Sequence, residues 1–137
     1  MKEALDQSRG RNARILILDD QDEIAQMLSA MVRLIGHEPT AESNPQRALE
    51  LVESENYDVI ISDYRMPEMN GQQFYEAAVL ARPELAHRIL LLTGDLLNDE
   101  TQAFLRDTGA PYLPKPFHLA KVQKAITDIL SDTGTNA

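Results

Sequence analysis

The sequence predicts an α/β domain in which a parallel β-sheet is joined by crossover helices. Short, wholly apolar runs such as Ile15-Leu16-Ile17-Leu18, Val59-Ile60-Ile61 and Ile89-Leu90-Leu91-Leu92 suit strands buried on both faces. Between them lie segments whose apolar residues recur at helical spacing. The alternation repeats as strand then helix five times within 137 residues, the size of one domain with one proper core.

The first strand, Ile15 to Leu18, leads into a helix whose stripe is Ile24, Met27, Leu28, Met31, Leu34 and Ile35, closed by Gly36 as a left-handed cap. A weaker strand near Pro39 to Glu42 comes before a helix with Asn44 as N-cap and Pro45 at its first position, burying Ala48, Leu49 and Val52. Val59 to Ile61 form the third strand. Phe74, Ala77, Ala78 and Leu80 mark the next helix, which Arg82-Pro83 ends. After the fourth strand, Ile89 to Leu92, Asn98 caps a helix whose dipole Asp99 and Glu100 complement; Phe104 and Leu105 are its apolar side and Gly109 its end. Tyr112-Leu113 is a brief last strand. Leu119, Val122, Ile126, Ile129 and Leu130 repeat at helical spacing, and Ser131 to Ala137 read as a polar tail with nothing to bury.

Composition narrows the function classes. The chain is 43% hydrophobic and 26% charged, and no apolar run approaches the roughly 20 residues of a membrane span. Its start, MKEALDQSRGRNAR, lacks the apolar core of a secretory signal, and there is no cysteine for disulfides or thiolate metal sites, so a cytoplasmic location is expected. Thirteen basic against twenty-two acidic residues give a net charge of −9, which argues against direct contact with nucleic acid or a membrane surface. The glycines form neither G-x-G-x-x-G nor a P-loop, and His37, His87 and His118 have no metal-ligand spacing.

Ligands of open parallel sheets bind beyond the carboxyl ends of the strands. Asp63 stands at such an end after a core strand, and so do Asp19 and Asp20, Thr93, and Lys115. Three crowded carboxylates repel one another, and a hard divalent cation such as Mg²⁺ relieves that repulsion. An ammonium and a hydroxyl remain to hold phosphoryl oxygens, so the set suits an aspartate nucleophile that takes phosphate with metal help. Taken singly each residue has a plainer role: Asp19-Asp20 as a helix start, Asn70-Gly71 as a turn, Lys115 as a solvated lysine and Thr93 as a strand residue.

Together, Leu18-Asp19-Asp20, Ser62-Asp63 with Met66-Pro67 and Asn70-Gly71, Thr93-Gly94, and Lys115-Pro116-Phe117 resemble the receiver domain of two-component response regulators. The resemblance covers about Arg14 to Ser131, which divides the chain into a polar extension (1–13), a receiver domain (14–131) and a polar tail (132–137). It implies a flavodoxin-like, doubly wound five-stranded sheet of order 2-1-3-4-5. It also implies roles: Asp63 as phosphoacceptor, Asp19, Asp20, Asp63 and the Arg65 carbonyl as ligands of Mg²⁺, with Mn²⁺ as an alternative, and Thr93 and Lys115 as phosphoryl contacts beside the Gly94 amide. Tyr112 resembles the aromatic switch that turns inward as Thr93 moves; read from the residues alone it is equally a core tyrosine with its hydroxyl at the surface. Lys115-Pro116 is expected to be cis, and Arg65 with Asp95 is expected to tune the lifetime of the acyl phosphate.

The implied partners are a sensor histidine kinase or histidine phosphotransfer protein, and a downstream protein meeting the face of the fourth helix, fifth strand and fifth helix, where Leu96 or Leu97 offers apolar contact. Such a domain is a switch whose chemistry is confined to its own aspartate. Two rivals are an aspartate-nucleophile phosphohydrolase and a pseudo-receiver used only for binding. The hydrolases resemble D-x-D on the first strand, whereas here Asp63 is on the third and Arg65 occupies the second acid's place.

Overall fold

The computed structural model describes residues 12–94 and 97–135, with side chains to Ser131. In chain order it contains β1 (Arg14–Leu18), α1 (Asp22–Leu34), β2 (Glu38–Glu42), α2 (Pro45–Ser54), β3 (Val59–Asp63), α3 (Gly71–Ala81), a 3₁₀ turn (Pro83–His87), β4 (Ile89–Thr93), α4 (Asp99–Thr108), β5 (Tyr112–Pro114) and α5 (Leu119–Thr135). The strands form one parallel sheet in the order β2-β1-β3-β4-β5. β1, β3 and β4 are inner strands, which is why their sequences are apolar without alternation. β2 and β5 are the edges and are only partly buried.

Strand pleating sends alternate side chains to two core layers. Ile15, Ile17, Val59, Ile61, Leu90 and Leu92 meet Leu28 and Val32 of α1 and Val122 and Ile126 of α5. Leu16, Leu18, Ile60, Ile89 and Leu91 meet Val52 of α2, Phe74 and Ala78 of α3 and Phe104 of α4. Each fully buried aliphatic side chain contributes about 1.5–3 kcal/mol, so the central strands supply much of the core's stabilisation.

Local signals fix the helix ends. Asn44 accepts hydrogen bonds from the amides of Gln46 and Arg47, Asn98 accepts one from the Thr101 amide, and Gly36 and Gly109, both at positive φ, follow α1 and α4. At the pole opposite the strand ends, two arginines hold the turn after α2. Arg82 Nε and Nη2 donate to the carbonyls of Val52 and Glu53, and its Nη1 to Asn56 Oδ1. Arg14 donates to the Asn56 carbonyl and the Glu55 carboxylate. Carbonyls left open by the end of α2 are thereby satisfied.

Two helical stripes differ from expectation. α1 buries Ala25, Leu28, Ser29 and Val32, leaving Leu34 at 74% exposure and Met27 part-exposed. Of the expected stripe, Leu28 is fully buried and Ile24, Met31 and Ile35 pack half-buried against the same core, so only Met27 and Leu34 fall outside it. In α3 the buried set is Gly71, Phe74, Tyr75 and Ala78, so Leu80, about 200° around the helix from Ala78, points to solvent. α5 also continues to Thr135, through residues expected to form a polar tail, as polar residues readily extend an established helix.

Gly71 is a steric requirement. A Cβ there would lie 2.7 Å from Tyr64 Cα and 3.2 Å from the Asp63 carbonyl oxygen, while the Gly71 amide donates to the Tyr64 carbonyl at 2.7 Å. A Cβ at Gly94 would meet nothing closer than 3.9 Å. Gly71→Ala is therefore expected to lower the unfolding free energy by about 1–3 kcal/mol in urea titration, the usual range for overpacking, and Gly94→Ala by much less.

Candidate functional site

Strand register builds the site. Leu18 pairs with Ser62, so Asp19 and Asp63 are the next residues on adjacent strands. Asp63 pairs with Leu92, so Thr93 follows directly on β4; Thr93 pairs with Pro114, and Lys115 comes next on β5. Residues from four strand ends thus reach one rim, as their positions in the sequence predict. Asp63, Thr93, Gly94 and Lys115 line a cavity of about 280 Å³ together with Tyr64, Arg65 and Leu92. A larger cavity of about 510 Å³ adjoins it between the loop after β3 and the start of α4, but no aspartate lines it.

Carboxylate oxygens of Asp19, Asp20 and Asp63 lie within 4.8 Å of one another, with Asp19 and Asp63 buried and Asp20 exposed. Burial pushes the Asp19 carboxyl above its usual range. The Gln21 amide hydrogen bond opposes this, the charge of Asp63 adds to it, Lys115 opposes it, and Asp20 adds a little more. Asp19 Oδ1 accepts from the Gln21 amide at 2.9 Å, while its buried Oδ2 has no hydrogen-bond partner. A buried, unpartnered carboxylate oxygen beside two further carboxylates matches what a hard divalent cation requires, so the residues present fit Mg²⁺. Asp63 is held from the other side by the Lys115 ammonium, 2.7 Å from its Oδ1. Such a pair gains less than its Coulomb attraction suggests because both ions lose water, yet removing one member strands the other.

Thr93 is buried at the end of β4, and its carbonyl accepts the Lys115 amide at 2.8 Å. Lys115-Pro116 is cis, as the resemblance implies. Tyr112 is 45% exposed, and with Gln102, Leu105 and Arg106 of α4 it lines a cavity of about 330 Å³. Leu97 is 91% exposed, which removes it from the core. Asp95 and Leu96 lie outside the described residues, and so does the Arg65–Asp95 pair.

Sequence reading passed over two features near the rim. Asn70 and Gln73 form a reciprocal capping box at the start of α3, a device that the N-x-x-Q spacing signals. Tyr64 packs its ring against Phe104, at 6.1 Å between centroids, and no local pattern announces that contact.

A family model described as the response regulator receiver domain matches residues 15–127. The response regulator protein FleR of Pseudomonas aeruginosa is 30% identical over 119 residues, 87% of this chain and 24% of that protein. The regulatory protein AtoC of Escherichia coli is 33% identical over 117 residues, 82% of this chain and 25% of that protein. The chain thus spans about a quarter of the length of these two relatives. The solved structure of the chemotaxis protein CheY4 of Vibrio cholerae matches with a TM-score of 0.78 at 30% identity, covering 88% of this chain and 100% of that one. The receiver domain of the sensor histidine kinase PA1611 of P. aeruginosa, solved with a magnesium ion in its active-site cleft, matches with a TM-score of 0.78 at 24% identity, covering 88% and 99%.

The carboxylate cluster has a measurable consequence. With EDTA present, Asp19→Asn is expected to raise the unfolding free energy by about 1 kcal/mol, because it removes a buried charge whose oxygen lacks a partner. Because the folded state raises the carboxyl's pKa, the penalty is present at neutral pH and fades as pH falls through that raised value. Mg²⁺ should therefore stabilise the wild type at neutral pH, less so near about pH 4, where protons compete for the carboxylates, and the variant hardly at all. Thermal unfolding with and without Mg²⁺ checks all three.

Proposed function

The chain belongs to the response regulator receiver domains of two-component signalling, and from that premise we propose that Asp63 accepts a phosphoryl group from a phosphohistidine and that the product switches partner binding. The observation that carries the proposal is the environment of Asp63. The side chain is nearly buried, tied through Oδ1 to Lys115, crowded by Asp19 and Asp20, and open to the cavity shared with Thr93.

In the proposed reaction a carboxylate oxygen of Asp63 attacks phosphorus, the phosphorus–nitrogen bond of the donor breaks, and its electron pair returns to the imidazole. Asp19, Asp20 and Asp63, with the Arg65 carbonyl, would hold Mg²⁺. Bound there, the ion would supply positive charge against that building on the transferring oxygens. Lys115 passes from the Asp63 carboxylate to the phosphoryl oxygens, and Thr93 donates its hydroxyl to them. Hydrolysis of the acyl phosphate by water then resets Asp63, so the chemistry turns over only on the protein's own residue. Magnesium is the ion carried by the PA1611 receiver, and an all-oxygen site suits it.

The donor would be a sensor histidine kinase or a histidine phosphotransfer protein. The downstream partner would meet the face of α4, β5 and α5, where Leu97 and Tyr112 are exposed. A cytoplasmic setting fits this reading; among the described residues no helix is long and apolar enough to cross a membrane. Arg65 and Asp95 are proposed to tune the lifetime of the acyl phosphate. A phosphohydrolase is disfavoured because Arg65, not a second acid, stands two residues after Asp63. Binding without chemistry is disfavoured because every side chain the transfer needs is present at one rim.

Acetyl phosphate with Mg²⁺ is expected to add one phosphate to the wild type and none to Asp63→Asn, read by Phos-tag mobility; a folded Asp63→Asn that gained phosphate would refute this choice of acceptor. Lys115→Ala should still bind Mg²⁺ but lose phosphate-dependent partner binding, because the phosphoryl group loses its fixed counter-charge. Thr93→Ala should be phosphorylated and yet respond less; a partner that binds it with an undiminished dependence on phosphate would remove Thr93 from the coupling.

A further inference from the structure

Helix α4 is seated differently from the other four. Like α2 it buries three residues, here Thr101, Phe104 and Leu105, but its backbone packs sparsely on its neighbours, whereas α1, α2, α3 and α5 each lie close against a strand or another helix. The cavity of about 510 Å³ separates its first turn from the loop after β3. The side chain that anchors it at mid-length is Phe104, 6% exposed, whose ring meets those of two tyrosines. Tyr75 of α3 meets it edge-on at 5.3 Å and 88°, and donates its hydroxyl to the Ala86 carbonyl at 2.8 Å. Tyr64 meets it at 6.1 Å and 47°.

The two tyrosines differ in what fixes them. Tyr75 is tied to the 3₁₀ turn, far from the rim. Tyr64 directly follows Asp63, and its backbone is clamped, its amide donating to the Leu92 carbonyl and its own carbonyl accepting from Gly71, whose missing Cβ lets the two chains touch. The Tyr64 ring is therefore one residue from Asp63 on a hydrogen-bonded backbone, so a displacement there has a short path to it. Cores transmit such shifts because they are close-packed, and a lightly seated element is the one that yields.

We propose that the Tyr64–Phe104 ring contact links the state of Asp63 to the position of α4, by a route separate from Thr93 and Tyr112. It rests on the reading of Asp63 as phosphoacceptor. Tyr64 is a positioning residue in this account and takes no part in phosphoryl transfer.

The test compares wild type, Tyr64→Leu, Phe104→Leu, the double variant and Tyr64→Phe by hydrogen exchange across residues 99–108, each with and without beryllium fluoride and Mg²⁺ as an acyl-phosphate mimic. Phosphate uptake from acetyl phosphate is read in parallel as intact mass. Exchange in α4 should change by about fivefold or more in wild type, the lower end of ordinary couplings. Each leucine variant should reduce that change to about twofold or less, with the double variant no lower, as expected of partners in one contact. Tyr64→Phe keeps the ring and should keep the full response. Uptake at Asp63 should be unchanged in Phe104→Leu, which lies off the Asp63 cavity, and the response of each Tyr64 variant, whose ring borders that cavity, is read only from its phosphorylated or beryllium-fluoride-bound fraction. An undiminished α4 response in a phosphorylated Tyr64→Leu, or its loss in Tyr64→Phe, overturns the link and leaves the acceptor reading intact. A wild type that takes up no phosphate overturns the acceptor reading and the link with it.

Discussion

Holding three carboxylates within 4.8 Å at the edge of a packed sheet is the constraint on which the rest of this structure depends. Two of the three are buried, and the low-dielectric setting that makes their repulsion costly also makes the Lys115 ammonium effective. A flexible scaffold would relieve the strain by letting the acids part. This one does not, because Asp19 and Asp63 continue β1 and β3, whose apolar residues are almost wholly enclosed by helices on both sides. The unpartnered Asp19 oxygen is the residue of that bargain, a site left incomplete by protein atoms alone and suited to a cation.

Rigidity is distributed unevenly around that edge. At the opposite pole, Arg14 and Arg82 gather the turn after α2 through charged hydrogen bonds, and Tyr75 ties α3 to the 3₁₀ turn. The α4 helix touches the core chiefly through Phe104 and Leu105 and faces cavities toward the loop after β3 and toward Tyr112. A domain built to answer a change at one aspartate needs a stiff frame and one element of low local stability beside it. The buried contacts are densest around the inner strands and sparsest along α4.

Much of this was legible in the sequence, for local reasons. Apolar runs ending at Asp19, Asp63 and Thr93 announce inner strands and their rim, and Asn44, Asn98, Gly36 and Gly109 announce helix ends through their own backbone chemistry. The strand order came from the family resemblance, since periodicity alone does not say which strand pairs with which. Leu34 and Leu80 were misplaced because a helical stripe shows which residues share a face but not which face meets the sheet. The three-ring contact of Tyr64, Phe104 and Tyr75 joins residues from separate elements, so no window of sequence contains it.

The proposed chemistry places the phosphoryl group on one aspartate, fixed between a lysine and two other acids. Borohydride reduction tests it most directly, because an acyl phosphate is cleaved by hydride and its aspartate becomes homoserine, which tandem mass spectrometry locates in the chain. After exposure to acetyl phosphate and Mg²⁺, homoserine is expected at position 63 and at no other acid. Homoserine at Asp19 or Asp20, or phosphate recovered on a stable ester or a histidine, would contradict it.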